Sequence, residues 1–412
     1  MLLKLLLIIS IFSNWLEEWI PQFTFSDEIL ALVFSLLGLA KLMTTKKREK
    51  VFTKLEIVSF ILIILVSFIG IISTIYSNIN NTFSLQIYTL FANIKYVLIY
   101  FGVRLLIKDI ISKSNTSIGN FIIKLSYFFS IVCLIAFIFD FYSSFMQDFG
   151  YRFGFKNISY GFGHPAEFSM SLILLATLNL YFNLSLKRKI SYLYIVLNLF
   201  LLFTAGRVTA IAFFLLLIIL ILFFRYFRRY VFAGLILSGI CAITFTFDKF
   251  VQTFVNVQEP RGILMITSID IAKRFFPFGS GLGTFGSNAA RVNYSELYYE
   301  YGFSGIWGLA PWYDVFLTDS YWAMIIGEFG FIAAIINLIA LLLFLINSYQ
   351  ITKGIFGIIT CFPILYMVVS TPVDTTIVSN SSLPIMFVAA FLISLRLNKI
   401  DNHESNEHKV KI

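Results

Sequence analysis

Val208–Phe224 reads VTAIAFFLLLIILILFF, a run without a charge and with one hydroxyl, and Tyr321–Ile346 repeats the pattern over a longer stretch. Wound as helices at about 1.5 Å per residue, such runs are long enough to cross roughly 30 Å of hydrocarbon. Period-two alternation of the kind that builds a membrane barrel is absent, and in lipid only helices or closed barrels satisfy their own backbone polar groups. The expected fold class is all-α.

Composition points the same way. The chain is 412 residues long, 59% hydrophobic, 18% aromatic and only 13% charged, where a soluble domain carries about 25% charged residues. A larger core cannot absorb that deficit, because the surface must still face water; lipid is the solvent that tolerates it.

Apolar runs between charged or turn-forming breaks predict about twelve transmembrane helices: Leu2–Trp19, Ile29–Met43, Leu55–Tyr76, Leu85–Ile107, Phe121–Phe139, Phe168–Leu184, Ile190–Thr204, Val208–Phe224, Val231–Phe247, Tyr321–Ile346, Gly354–Ser370 and Pro384–Leu395. Most of the 31 Lys and Arg fall in alternate connections: Lys46, Lys47, Arg48 and Lys50; Arg104, Lys108 and Lys113; Lys187, Arg188 and Lys189; Arg225, Arg228 and Arg229; and the C-terminal Arg396, Lys399, Lys409 and Lys411. The positive-inside rule then puts both termini in the cytoplasm. The expected organisation is helices 1–9 over residues 1–247, a long extracytoplasmic loop 248–320, helices 10–12 over 321–395, and a cytoplasmic tail 396–412. No small-residue cleavage site follows the first run, so an uncleaved helix is expected there. Cys133, Cys241 and Cys361 lie inside apolar runs and read as small core residues. The net charge of +9 reads as an orientation signal, with no nucleic acid implied.

The outer connections carry the candidate chemistry. The long one is too aromatic for a solvated tail, with Tyr294, Tyr298, Tyr299, Tyr301, Trp307, Trp312 and Tyr313. Within it, Ile263–Phe276 has the spacing of a helix lying in the membrane interface. Arg207 sits where the chain turns between two spans; it is either a snorkelling interfacial arginine or a ligand for an anion. Arg261, Lys273 and Arg274 either anchor the interfacial helix to headgroups or offer guanidinium forks to phosphate oxygens. Pro277 and the Gly279–Gly286 run imitate a nucleotide fingerprint, but with no strand–turn–helix unit around it the glycines are expected to serve a tight turn and close backbone approach. Asp319-Ser320 suits a helix N-cap and equally a carboxylate able to take a proton from a sugar hydroxyl. Arg152, His164 and Arg291 share the outer side, with Tyr321 and Trp322 following Asp319-Ser320 and Glu328 further on. Lys95 lies inside a span, where a charge costs about 3 kcal/mol and needs a partner or a cavity. No metal-ligand spacing is present.

In order and placement, Thr204-Ala205-Gly206-Arg207, Arg261, Arg274 through Phe285, Asp319-Ser320-Tyr321-Trp322 and Gly327-Glu328-Phe329-Gly330 resemble the O-antigen polymerase and O-antigen ligase family of bacterial surface-polysaccharide assembly. The similarity is best from about Leu201 to Ile336. It implies glycosyl transfer from a polyprenyl-diphosphate-linked oligosaccharide to a second glycan, at the outer face of the bacterial cytoplasmic membrane, with no cofactor, metal or nucleotide sugar. Arg207, Arg261 and Arg274 would hold the diphosphate and Asp319 would orient or deprotonate the acceptor hydroxyl; Arg152, His164, Arg291, Tyr321 and Trp322 are candidate sugar contacts. The implied partners are the lipid-linked donor and acceptor, membrane lipids, and chain-length regulator and flippase proteins. Family ligases commonly carry His-Asn where this chain has Asp319-Ser320, which favours a polymerase over a ligase. A transporter or flippase would usually show two related halves, and none is visible; a non-catalytic envelope scaffold would not need clustered outer arginines.

Overall fold

The computed structural model describes residues 2–44, 51–79, 82–111, 115–226, 259–372 and 374–410. The expected span Val231–Phe247, Cys241, the basic residues Lys46–Lys50, Lys113, Arg228 and Arg229, and the start of the long connection to residue 258 lie outside the described residues.

Among the described residues the chain is all-α apart from a minimal hairpin. In order come α1 (Leu2–Ile11), α2 (Ser13–Trp19), α3 (Ser26–Thr44), α4 (Lys54–Ser77), α5 (Phe83–Ile111), α6 (Asn115–Ser143), the antiparallel pair β1 (Tyr151–Arg152) and β2 (Phe155–Lys156), α7 (Pro165–Ser185), α8 (Tyr192–Thr204) and α9 (Val208–Tyr226). Beyond the undescribed stretch lie α10 (Pro260–Arg274), α11 (Asn288–Val292), α12 (Glu296–Glu300), α13 (Tyr321–Met324), a π-helical turn Ile325–Phe329, α14 (Gly330–Thr352), α15 (Gly354–Ser370) and α16 (Ser382–Val410). Among the described residues, six helical stretches are long and apolar enough to cross a membrane: Pro21–Thr44, Lys54–Ser77, Phe83–Ile107, Thr116–Ser143, Pro165–Ser185 and Tyr321–Thr352. Four shorter apolar helices accompany them, at Tyr192–Thr204, Val208–Phe224, Gly354–Ser370 and Ser382–Leu397. By helix length and composition this is a multi-pass membrane protein.

Several boundaries depart from expectation. The first apolar run is broken at Phe12 into two short helices. The last helix, α16, continues through residue 396 to Val410.

Burial sorts the helices. The apolar window of α7 is 89% buried and those of α3 and α6 only 28%, so α7 is central while the outer helices turn residues such as Leu36, Ile61 and Phe128 outward. α5 packs on α3 and α16, α14 on α4 and α15, and α6 on α7.

Two buried charge networks join these helices. Lys95 on α5, 1% exposed, pairs with Asp27 and, at 3.4 Å, with Glu28, both on α3. About two and a half turns further along α5, Arg104 is equally buried and donates to Glu56 on α4 at 3.1 Å, to Ser394 on α16 at 3.1 Å and to the Val51 carbonyl at 2.8 Å. Glu56 serves twice: one oxygen accepts from Arg104 and from the Tyr100 hydroxyl at 2.6 Å, while the other closes a capping box with the Thr53 N–H at 2.7 Å. Arg104, read from sequence as a basic residue of a cytoplasmic connection, is thus an interhelical ion-pair partner.

The described part of the long connection has its own core, built from Leu264, Ile271, Phe285, Leu297, Tyr298, Phe303, Leu309 and Leu317. The apolar spacing that suggested an interfacial helix belongs to α10, whose Leu264 and Ile271 are buried in this core; its apolar face meets protein. Tyr298 is likewise buried, stacked on Phe303 with ring centroids 5.5 Å apart, while Trp307 and Trp312 are exposed.

Candidate functional site

His164 and Arg207 meet where two helices begin. His164 is the extended N-cap of α7 and accepts from the Ala166 N–H at 3.4 Å, with Pro165 in the first helical position, where no N–H is needed. Arg207 follows Gly206, whose φ of +67° turns the chain from α8 into α9 and leaves no room for a methyl group beside the Asn157 amide. An Nη2 of Arg207 touches the His164 ring, 3.0 Å from Nδ1 and closer still to Nε2. Burial first, and then the Arg207 charge, push the imidazole down to about 4. A guanidinium can only donate, so a ring nitrogen of His164 is the acceptor in this contact.

Three arginines share this field. Burial lowers the Arg207 pKa; the Asp374 carboxylate opposes that shift, and the charges of Arg152 and Arg261 add to it. Arg152, on the hairpin, donates to the Gly206 carbonyl at 3.0 Å. Arg261, in the first turn of α10, reaches Asp319 Oδ2 with Nη2 and with Nε at 3.1 Å, and its guanidinium lies 5.6 Å from the centre of the Phe316 ring. Ser320 is the N-cap of α13, accepting from the Ala323 N–H at 3.4 Å. Of the pair, Ser320 is thus the helix cap, and the Asp319 carboxylate is held by the Arg261 guanidinium.

Next to these groups lies a cavity of about 370 Å³. Its wall includes Glu17, Lys95, His164, Glu167, Asn288 and Asp374. Asp374, half-buried in the connection between α15 and α16, has its carboxyl raised above the usual carboxylate range, first by burial and then by the neighbouring Asp319 charge. Lys95, whose role was open from sequence, has both a partner and a cavity.

The remaining candidates lie elsewhere. Arg274 pairs with Glu300 at 2.5 Å, each about half exposed, and the structure does not bring it to the His164–Arg207 contact. Arg291 donates to Asn288, a residue of the cavity wall, at 3.3 Å and lies 3.8 Å from Asp314. Tyr321 is fully buried; its hydroxyl accepts from Asn337 at 2.9 Å and donates to Asn93 at 3.4 Å. Trp322 donates to the Thr371 hydroxyl at 2.9 Å. Among the described residues, no three His, Cys, Asp or Glu side chains are grouped as metal ligands would be.

The glycine run does what close approach predicts. Ser280 and Gly281 donate to the Gly327 and Glu328 carbonyls at 2.8 and 2.9 Å, and Leu282 donates to the Thr74 hydroxyl on α4 at 2.9 Å. At Gly281, φ is +96° and a Cβ would come within 2.6 Å of the Thr74 backbone. Under this loop Glu328, fully buried in the π-helical turn, accepts from the Phe285 N–H at 3.0 Å and the Ser287 hydroxyl at 2.6 Å. The loop thereby sets Ser287 and Asn288 into the cavity wall.

Sequence reasoning passed over Asp374, Glu167 and Glu17. A signal for Asp374 exists: it is the one acidic residue between the last two apolar runs, in Thr371-Pro372-Val373-Asp374-Thr375-Thr376. Comparison with protein-family models, curated proteins and solved structures finds no match to this chain.

Proposed function

We propose that this protein is a polysaccharide polymerase, joining polyprenyl-diphosphate-linked oligosaccharide repeat units into O-antigen, capsular or exopolysaccharide. The reading places about twelve spans in the bacterial cytoplasmic membrane with both termini cytoplasmic, and puts the cavity at the outer face. One observation supports it above the others: Arg207, which feels the charges of Arg152 and the Asp319-bound Arg261, touches His164 in the wall of a hydroxyl- and carboxylate-lined cavity.

Departure of a lipid diphosphate leaves negative charge that preorganised cations in a partly dry site stabilise; removing one such group typically costs about 10²–10³ in rate. In this reading Arg207 and Arg261 hold the diphosphate. Neutral His164 fixes the fork of Arg207, and Asp319 fixes that of Arg261, so Asp319 is a positioning residue: a carboxylate already neutralised by a guanidinium is a poor proton acceptor. Arg274, bound to Glu300, is left outside this set. Arg152 adds positive potential, and Arg291 and Asn288 border the sugar side.

The test is deletion and complementation in the source cells, followed by gel analysis of surface glycan. A deletion that leaves single repeat units, restored by wild type but not by Arg207→Ala or Arg261→Ala, supports the polymerase. Unattached full-length polymer would instead mark a ligase, and unchanged glycan would refute both.

A further inference from the structure

We propose, resting on the polymerase reading above, that Asp374 is the catalytic base that takes the proton from the acceptor sugar hydroxyl. Four carboxylates compete for that role. Asp319 is bound by Arg261 through two nitrogens. Glu17 accepts from the Asn380 amide. Glu167 has other carboxylates, Glu17, Glu18 and Asp374, as its charged neighbours. Asp374 lines the cavity together with His164, whose ring Arg207 touches at 3.0 Å, and its carboxylate is the largest favourable charge acting on Arg207. A hydroxyl on Asp374 therefore shares the cavity with the histidine that holds the Arg207 guanidinium.

The step balances without a further reactant. The acceptor O–H gives its proton to the Asp374 carboxylate as its oxygen bonds to the donor sugar's anomeric carbon. The bond from that carbon to the diphosphate oxygen breaks, and the electron pair leaves with the diphosphate towards Arg207 and Arg261. The proton then passes to solvent through the open cavity or to the departing diphosphate.

The groups facing Asp374 set its behaviour with pH. They are Arg207 from the α8–α9 junction, Asp319 from the end of the long connection, His164 and Glu167 from the start of α7, and Tyr366 from α15. Burial and Asp319 raise its pKa and Arg207 opposes them, so an ionised Asp374 is a stronger base than a free aspartate. Because the base must be unprotonated, the rate falls as pH drops through the raised pKa.

The experiment uses membranes holding the full chain and carrier-linked repeat units extracted from the deletion strain. The initial rate of polymer formation is followed against pH and unit concentration. Asp374→Asn is expected to lower the maximal rate by about 10²–10⁴-fold, the usual worth of a positioned base, to leave half-saturation unchanged, and to abolish the acidic limb in the residual activity; Asp374→Glu should recover part of the rate. A wild-type rate and pH profile in Asp374→Asn would overturn the proposal while leaving the polymerase standing. Failure of Asp374→Asn to accumulate as folded protein would assign the side chain to structure and overturn it too. Absence of polymer with wild-type membranes would sink the polymerase reading and this proposal together.

Discussion

Replacing Glu328 by alanine separates structure from chemistry in the segment that carries the glycine run Gly279–Gly286. Its Oε1 accepts from Phe285 N–H and Ser287 Oγ–H, whereas Oε2 has no hydrogen-bond partner. Phe285 is fully buried, whereas Ser287 lines the cavity, where water can replace its partner, so Glu328→Ala orphans the Phe285 N–H. At about 1–3 kcal/mol for an unsatisfied buried group the loss is a sizeable part of the roughly 5–15 kcal/mol that holds a typical domain together. Glu328→Gln, with its amide oxygen in the place of Oε1, keeps both bonds and exchanges one unpartnered buried polar group for another, so it should cost about 1 kcal/mol or less. Thermal unfolding of the detergent-purified protein, with limited proteolysis of residues 277–320, reads the difference. If alanine leaves both measurements unchanged, Glu328 does not hold the glycine loop. If glutamine is as damaging as alanine, the negative charge matters and the hydrogen-bond account is wrong.

Other outcomes follow from the same geometry. Arg104→Ala strands the buried Glu56 carboxylate and should cost about 3–5 kcal/mol, as breaking a buried pair does; an unfolding midpoint indistinguishable from wild type contradicts that. Arg274→Ala removes an exposed pair worth about 0–1 kcal/mol and should leave both stability and polymer intact; abolition of polymer would restore Arg274 to the diphosphate site. The His164 imidazole should titrate near 4 by NMR of histidine-labelled protein. Since the folded pKa lies below the ordinary 6.5, the unfolded chain binds more protons between those values, and stability should fall as pH drops through that window; a midpoint near 6.5 argues against the Arg207 contact. Gly206→Ala, which forces a side chain into the left-handed turn against Asn157, should reduce polymer through misplacement of Arg207 while an Arg207-independent measure, total protein in membranes, stays near wild type.

What the sequence made legible was local. Helices follow apolar runs because lipid demands it, and the glycine loop and the Ser320 cap follow from backbone requirements a few residues long. The rest depended on distant pairings. Nothing local to Arg104 separates an orientation signal from a buried ligand of Glu56, 48 residues earlier. The partners of Lys95 lie 67 and 68 residues away. Arg261 and Arg274 look equivalent along the chain, yet they sit at opposite ends of α10, so one meets Asp319 and the other Glu300. Asp374 is a lone acid in a short connection, and only the approach of α7 and Arg207 makes it a candidate for chemistry.

The charged residues of α5 also bear on how the protein is made. Both of its buried cations emerge from the ribosome after their counter-ions: Asp27 and Glu28 precede Lys95, and Glu56 precedes Arg104. A lone lysine or arginine entering hydrocarbon costs about 3 kcal/mol, but α5 leaves the translocation machinery with neutralising carboxylates already waiting on α3 and α4. Reversing that order, by swapping Lys95 with Asp27, would keep an opposite-charge pair between α3 and α5, at the loss of the Lys95–Glu28 contact, while making α3 insert a cation before its α5 partner is synthesised.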